Sequence, residues 1–356
     1  MKKSLKTDVL IIGGGLSGLC LQYFLEKNHL TSRILEARDR LGGRILTAEQ
    51  AGSPPIEMGA TWLGKKHQQL NALLEELGLE IFSQRLGNTA IYEAISTSPH
   101  QLVNLPPNED PSFRIKGGSS RLIKTLAAKI DAEHIYLGQK ALSIEEDDGK
   151  LIVESEDIIW EAKFVVSTLP PYLFKQSISL SPALPDEVLG LMENTHTWMG
   201  ESIKFGLSFD QPFWREESLS GTLVSNVGPI PEMYDHANFE DDAFALKGFF
   251  NSAYFPLKKE ERLGMILNQL RKYYGEKVDN YTSYQEKVWA NEPFTYASYK
   301  AHLLPHQNNG HELYRKPYLN GKLFISGSET AAMYPGYMDG AVSAANFVFS
   351  QLSKLL

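Results

Sequence analysis

Residues 9–18 read VLIIGGGLSG, and this stretch decides how the chain begins to fold. The apolar run at 9–12 is typical of a parallel strand that is buried on both faces. Three glycines end the run, and apolar residues then recur at helical spacing from Leu16 onward. A second short strand is predicted over 33–36, where Ile34 and Leu35 lie between two charged residues. The sequence therefore predicts a strand, a glycine turn, a helix and a second strand at the N-terminus.

The glycines have the spacing Gly13-x-Gly15-x-x-Gly18, which in this context predicts a dinucleotide-binding turn. The first glycine permits the tight turn, the second admits a pyrophosphate, and the third lets helix and strand pack closely. Free N–H groups at the start of the helix favour phosphate. Glu36 ends the second strand, where its carboxylate can accept hydrogen bonds from ribose hydroxyls. Together these features favour nucleotide binding over an incidental glycine turn.

The rest of the chain mixes predicted strands and helices. Three further helices are predicted over 70–79, 121–130 and 259–274, with a last helix running to about residue 352. Strands are predicted over 135–137, 141–145, 151–154, 164–168, 203–209, 243–250, 282–289 and 322–326. The stretch 91–111, rich in Ser, Pro and Asn, is predicted to be a loop. The fold class is therefore α/β, with a Rossmann-like domain and a second, mixed α+β domain.

The amino-acid composition excludes several classes of protein. A chain of 356 residues suggests about two domains, and 42% hydrophobic with 22% charged residues is ordinary globular usage. The formal net charge of −8 shows no excess of basic residues, so nucleic acid is not an expected partner. No stretch approaches the ~20 apolar residues of a membrane span. The lone Cys20 cannot form an internal disulfide, so we expect a cytoplasmic protein without a membrane anchor. The nine histidines show no metal-ligand spacing, so no metal is predicted.

Motifs at both ends of the chain resemble the flavin-containing amine oxidase family, the monoamine and polyamine oxidases. The matching segments are 13–18, LEAR at 35–38, GGR at 42–44, EMGATW at 57–62, GSET at 327–330 and GYMDGA at 336–341. The resemblance implies FAD and a discontinuous FAD-binding domain. We expect that domain to comprise 1–83, 113–193 and 292–356, and the substrate domain to comprise 84–112 and 194–291.

The resemblance also implies a set of residues that contact FAD. They are Gly13, Gly15, Ser17, Gly18, Glu36, Ala37, Arg38, Gly43, Arg44, Gly59, Ala60, Thr61, Ala141, Trp289, Gly327, Glu329, Tyr337, Met338 and Ala341. Two glycines beside Arg44 suit a phosphate, because backbone N–H groups and a guanidinium fork can act together. A helix starting near Gly340 would point its positive end at the flavin.

Three residues are predicted to face the reacting atoms. Lys204 matches the family lysine that approaches flavin N5 through water, although a lysine at a strand edge often only extends its amine to solvent. Tyr299 and Tyr337 match the two aromatic walls before the flavin, although either could simply line a core. The monoamine oxidases carry a flavin-bonded cysteine where this chain has Ser298, so FAD is predicted to be non-covalent.

These features predict an FAD-dependent amine oxidase that transfers hydride from the carbon beside an amine nitrogen to flavin N5. Molecular oxygen is the expected electron acceptor. Two alternatives stay open: a desaturase or oxidase of the same superfamily acting on a carotenoid, porphyrin or amino acid, and a non-catalytic flavin-binding regulator. The stretch 84–113 is shorter than the family's substrate region, so substrate size stays open, as does oligomeric state.

Overall fold

The computed structural model describes residues 2–356, with side chains at all of these positions except 217 and 218. The helices in this part of the chain are α1 (Leu16–Lys27), α2 (Gln68–Glu76), α3 (Ser120–Ala127), α4 (Pro171–Ser177), α5 (Asp186–Glu193), α6 (Lys259–Tyr274) and α7 (Met338–Leu352). The strands are β1 (Lys3–Ile12), β2 (Ser32–Leu35), β3 (Thr47–Ala48), β4 (Ile56–Glu57), β5 (Ile81–Ser83), β6 (Thr89–Glu93), β7 (Gln101–Asn104), β8 (Phe113–Ile115), β9 (Ile135–Tyr136), β10 (Ala141–Asp147), β11 (Lys150–Ser155), β12 (Ile158–Ser167), β13 (Ser179–Ser181), β14 (Ile203–Phe209), β15 (Leu219–Ser225), β16 (Glu232–Asp235), β17 (Phe244–Phe250), β18 (Ser283–Val288) and β19 (Leu323–Ile325).

The first sheet has the strand order β13-β10-β11-β12-β1-β2-β9, with β19 also paired to β12. Strands β12, β1, β2 and β9 run parallel to one another, and β19 is parallel to β12. Strands β10, β11 and β12 form an antiparallel meander. Asp148 and Gly149 both have positive φ between β10 and β11, as a two-residue type I′ hairpin turn requires. This sheet thus joins the two ends of the chain.

Strand β1 explains why the opening sequence is continuously apolar. Val9 and Ile11 lie on one face of the sheet, in a core that includes α1 and α7. Leu10 and Ile12 lie on the other face, in a second core. All four side chains are buried, and each fully buried aliphatic side chain contributes about 1.5–3 kcal/mol. The predicted Rossmann-like fold is confirmed in this region.

The second sheet has the order β18-β14-β17-β16-β15-β6-β7. The predicted strands over 203–209, 243–250 and 282–289 are confirmed as β14, β17 and β18, and the predicted helix over 259–274 is confirmed as α6. Gly206 of β14 lies against Ile56 of β4: a Cβ at 206 would lie 2.5 Å from the Ile56 side chain. This close approach sets the second sheet against the segment that follows β4.

The predicted loop over 91–111 is wrong at 91–93 and 101–104, because β6 and β7 form a hairpin at the edge of the second sheet. Ile91 of β6 is buried in the core of that sheet, and β6 pairs in parallel with β15. Strand β7 is a mostly exposed edge strand, so it carries no apolar pattern. Its backbone pairing, not its side chains, makes it a strand.

Two predicted helices end earlier than expected, at Glu76 and Ala127. Gly78, with φ of +67°, takes the left-handed conformation that closes the turn after α2. The division of the chain into flavin and substrate segments stays a prediction. Among the helices of residues 2–356, none has both the length and the apolar character that crossing a membrane requires.

Candidate active site

A cavity of about 360 Å³ lies where the turn after β1 and the first turns of α1 and α7 meet the second sheet. Most of the predicted site residues line it. Those that do are Gly13, Gly15, Ser17, Glu36, Arg38, Gly43, Arg44, Gly59, Ala60, Thr61, Lys204, Trp289, Tyr337, Met338 and Ala341. The structure therefore brings together side chains and backbone from both ends of the sequence.

The three glycines of the turn have different surroundings. Gly13 has φ of +110°, which a residue with a side chain rarely adopts. A Cβ at Gly18 would lie 2.0 Å from the Gly13 carbonyl oxygen, so Gly18 serves the packing of α1 and does not line the cavity. A Cβ at Gly15 would meet only the Gly43 Cα, at 3.9 Å. Gly15 thus leaves open a cradle at the start of α1 that a side chain would fill.

Glu36 is buried at the glycine end of the cavity. One carboxylate oxygen accepts the N–H of Gly14 at 2.7 Å, and the other accepts the N–H of Arg38 at 2.9 Å. A carboxylate has about four acceptor positions, so this one retains capacity for ribose hydroxyls. The Arg38 guanidinium in turn donates to Glu292 and Thr295, which fixes the 292–299 segment beside the cavity.

A smaller cavity of about 110 Å³ adjoins the first and shares Gly13 and Glu36 with it. Ala37 and Ala141, which the resemblance assigned to the cofactor, line this smaller cavity instead of the large one. The two cavities together form an elongated space centred on the glycine turn. Such a space suits a dinucleotide, whose two ends lie on either side of the pyrophosphate.

Arg44 and Glu329 form a buried ion pair at the wall of the large cavity. The guanidinium donates to both carboxylate oxygens and to the Ser328 hydroxyl at 2.8 Å. Burial would raise the pKa of Glu329, but the Arg44 charge and the hydrogen bonds hold that pKa below its usual value. Of these two residues, Arg44 lines the cavity and Glu329 does not, so Glu329 acts on the cavity by holding the Arg44 guanidinium.

Aromatic side chains enclose the end of the cavity nearest the second sheet. They are Trp62, Trp198, Phe249, Trp289 and Tyr337. The Trp289 indole N–H donates to the Met58 carbonyl at 2.7 Å, which fixes that ring. Of the lining residues, only Glu36 is acidic, and it lies at the glycine end. This end thus offers apolar surface and ring faces, which attract amines.

Lys204 reaches the aromatic end from β14 and is only 5% exposed. Its amine donates to the Gly59 carbonyl and lies 4.9 Å from the centroid of the Phe249 ring. Burial lowers the pKa of Lys204 to about 8, although the charges of Glu57 and Glu232 act in the opposite direction. Lys204 is therefore a proton donor and acceptor near neutral pH.

A second buried amine, Lys247 of β17, lies behind the same wall. It is fully buried, 4.1 Å from the Trp62 ring centroid, and donates to the Thr61 hydroxyl at 3.3 Å. Burial, reinforced by the charge of Lys204, places the pKa of Lys247 well below its usual value. Lys247 therefore packs behind the Trp62 ring in surroundings that disfavour its charged form.

Tyr299 is not brought into the cavity. Its ring packs against Tyr172 at 4.9 Å, and its hydroxyl accepts the N–H of Thr197 at 2.9 Å. Trp198, next to Thr197, lines the cavity from this side. Gly327 also lies outside the lining, because it crosses close to Leu169: a Cβ there would lie 2.8 Å from the Leu169 carbonyl oxygen.

The sequence reasoning missed several lining residues. Trp198, Met199, Ser202 and Phe249 come from the second sheet and the segment before it. Phe249 and Lys247 alternate along β17, a pattern that indicates one shared face of the strand. That alternation could have identified both residues once Lys204 was placed on the paired strand β14. No local signal distinguishes Trp198.

Within residues 2–356, no group of three His, Cys, Asp or Glu side chains is arranged to hold a metal ion. The Gly15 cradle, the start of α1 and the elongated cavity instead fit a dinucleotide. The first turn of α7, with Met338 and Ala341 on the lining, points a second positive helix end at the aromatic part of the cavity.

Comparisons with known proteins agree with this geometry. A family model described as flavin-containing amine oxidoreductase matches residues 99–347, and one described as an NAD(P)-binding Rossmann-like domain matches 11–77. A probable flavin-containing monoamine oxidase A of Dictyostelium discoideum is 24% identical, covering 98% of each chain. Amine oxidase [flavin-containing] B of Sus scrofa is 24% identical, covering 96% of this chain and 85% of its own length.

Solved structures show the same fold. Wild-type putrescine oxidase bound to putrescine superposes with a TM-score of 0.85 at 24% identity, covering 99% of this chain and all of that one. Cyclohexylamine oxidase from Brevibacterium oxydans IH-35A superposes with a TM-score of 0.86 at 20% identity, covering 98% of this chain and 99% of that one. The family match spans more than half of the sequence and includes the Lys204 strand and most of the C-terminal helix. The chain therefore belongs to the flavin-containing amine oxidoreductase family and is an FAD-dependent enzyme.

Proposed function

We propose that this enzyme oxidises small amines at the aromatic end of the cavity, with non-covalent FAD and molecular oxygen as the electron acceptor. The observation that carries the proposal is the position of Lys204 among aromatic rings, in the same cavity as the glycine turn. When bound, FAD supplies the acceptor for a hydride from the carbon beside the amine nitrogen and passes the electrons to oxygen.

The aromatic rings give the site its preference for amines. Trp62, Phe249 and Tyr337 offer apolar surface to the carbon skeleton of a substrate, and ring faces attract its nitrogen. Among the residues that the structure describes, none of those lining the cavity near these rings has a carboxylate that would pair with a second, distant ammonium group. We therefore propose a monoamine with an apolar substituent as substrate, in preference to a diamine or polyamine.

Lys204 would hold and release a proton at Nζ during turnover. A pKa of about 8 gives the amine both protonation states near neutral pH, which suits acid–base work. The bond to the Gly59 carbonyl fixes the direction of the side chain. Tyr337 would form one aromatic wall. The wall role predicted for Tyr299 needs a change in its packing, because its ring packs against Tyr172 and does not line the cavity.

The non-covalent FAD is supported by position 298. Ser298 is exposed and does not line the cavity. Its carbonyl accepts the Tyr172 hydroxyl at 2.9 Å, which holds this part of the segment away from the cavity. A buried Cys20 without a disulfide partner supports a cytoplasmic location.

Turnover with a panel of amines tests the proposal. Benzylamine, cyclohexylamine, putrescine and spermidine would be compared with benzyl alcohol, a control that keeps the ring and lacks the nitrogen. We expect the two monoamines to give aldehyde or ketone, ammonia and hydrogen peroxide in equal amounts. Turnover of a carotenoid, porphyrin or amino acid in place of all amines would contradict the proposal, whereas preference for putrescine would contradict only the substrate class.

A further inference from the structure

A loop that carries His306 is docked against the segment that leads into Trp198, a residue of the cavity wall. The Asn308 side chain donates to the Asn194 carbonyl at 2.8 Å, and the N–H of His196 donates to the Gln307 carbonyl at 3.1 Å. The N–H of His306 donates to the His196 ring at 3.4 Å. These bonds tie the loop to the segment that leads into Trp198, so the position of His306 is fixed relative to that indole.

The His306 ring forms a stack with two residues of the cavity lining. Its centroid lies 3.7 Å from that of Trp198, with 23° between the planes. It lies 5.7 Å from the Tyr337 ring, with 13° between the planes. His306 itself does not line the cavity. It therefore supports both rings from behind.

The backbone conformation of His306 is energetically unfavourable for a residue with a side chain. Its φ of +61° lies in the left-handed region, where glycine or asparagine is favoured. Residues held in this conformation are found where the surroundings determine it strongly, often at functional sites. The hydrogen bonds of the loop hold His306 in this conformation, and the imidazole that they position stacks on Trp198.

The charge state of His306 follows from its neighbours. Burial lowers the pKa of its imidazole, and His196 lowers it further, while Glu329 acts in the opposite direction. Among the other groups around it, Glu329 is paired with Arg44, and Glu201 lies 3.4 Å from His196. Tyr337 faces it across the stack, and His67 lies on another side of the Tyr337 ring. The ring of His306 is therefore neutral at neutral pH.

We propose that His306 is a positioning residue of the cavity wall: its neutral ring holds Trp198 and Tyr337 in place, and its protonation beside these two lining rings opposes binding of positively charged amines. The inference rests on the proposed function for the role of the cavity. The part that does not depend on that function is the coupling between the charge of His306 and the Trp198 ring. Like charges brought together in a partly buried site weaken binding, so substrate affinity falls when the ring gains a proton.

Tryptophan fluorescence tests the coupling without turnover. A protonated imidazole stacked on an indole quenches its emission, so emission of the purified protein should fall as pH decreases. His306→Phe keeps an aromatic ring but cannot be protonated, and it should abolish this transition. Trp198→Phe, which removes the emitting ring, should abolish it too. A transition that persists in His306→Phe overturns the proposal, since another histidine would then be responsible.

Amine kinetics test the effect on binding. Loss of one aromatic contact is worth up to about 1.5 kcal/mol, so His306→Ala should raise KM several-fold, to about tenfold, with kcat within about twofold. His306→Phe should keep the wild-type KM at neutral pH and lose part of the KM increase at acid pH. An unchanged KM in His306→Ala overturns the proposal. If no amine reduces the wild-type flavin, the proposed function fails, and the fluorescence result still decides the coupling.

Discussion

Replacing Gly15 by Ala separates the needs of the fold from those of the cofactor. Gly15 has φ of −76° and ψ of −177°, which alanine adopts without strain. Its added Cβ would meet no protein atom closer than the Gly43 Cα at 3.9 Å. The methyl group would instead enter the cradle at the start of α1. We therefore expect a folded apoprotein that binds FAD weakly.

The magnitudes follow from this geometry. Alanine restricts the unfolded chain, which stabilises by about 0.4–1 kcal/mol, but it is a poorer helix N-cap than glycine by a similar amount. The free energy of unfolding of the apoprotein should thus change by less than about 1 kcal/mol. Overpacking the cofactor site by one methyl group costs about 1–3 kcal/mol, which weakens FAD binding about 5- to 150-fold.

Flavin fluorescence quenching on titration of apoprotein gives the dissociation constant, and circular dichroism gives the melting temperature. Gly18→Ala is the matched control, because its Cβ would lie 2.0 Å from the Gly13 carbonyl oxygen. That variant should melt well below the wild type even without FAD. Wild-type FAD affinity in Gly15→Ala would refute the assignment of this turn to the cofactor phosphates.

Three further variants test other parts of the site. Glu329→Gln leaves Arg44 without its buried counter-charge, so the free energy of unfolding in urea should fall by about 3 kcal/mol at pH 7. Because folding lowers the pKa of Glu329, the difference from wild type should shrink as the pH falls below the usual carboxyl pKa of 4.5. A difference that stays constant with pH would contradict the ion pair. Lys204→Met should retain FAD and lose the change in kcat near pH 8 that wild type shows, and a profile identical to wild type would exclude Lys204 as the titrating group. Ser298→Cys should still release its flavin on acid precipitation, since position 298 lies outside the cavity lining, whereas flavin in the pellet would show that the segment reaches the ring.

The sequence was most informative where chemistry is local. The turn at 13–18, the acid at Glu36 and the run at 9–12 each follow from the backbone that a dinucleotide site requires, and the structure places them together. The continuous burial of β1 on both faces is the physical reason that its sequence shows no alternation.

Long-range packing explains what the sequence could not indicate. Trp198 lines the cavity and stacks on His306 from a loop about 110 residues further along the chain, and no pattern within either segment specifies that contact. Tyr299 was matched to an aromatic wall by its motif, yet its hydroxyl is held by the Thr197 N–H. Strand β7 lacks an apolar pattern because it is an exposed edge strand, so its pairing with β6 was not predicted.

Amine oxidation in the cavity that we assign to FAD is tested most directly by the visible absorbance of the purified protein after anaerobic addition of benzylamine or cyclohexylamine. We expect a yellow protein whose flavin absorbance disappears with the amine and returns on admission of air, with hydrogen peroxide formed. A flavin that stays oxidised with every primary amine, secondary amine and polyamine would rule out amine oxidation at this site.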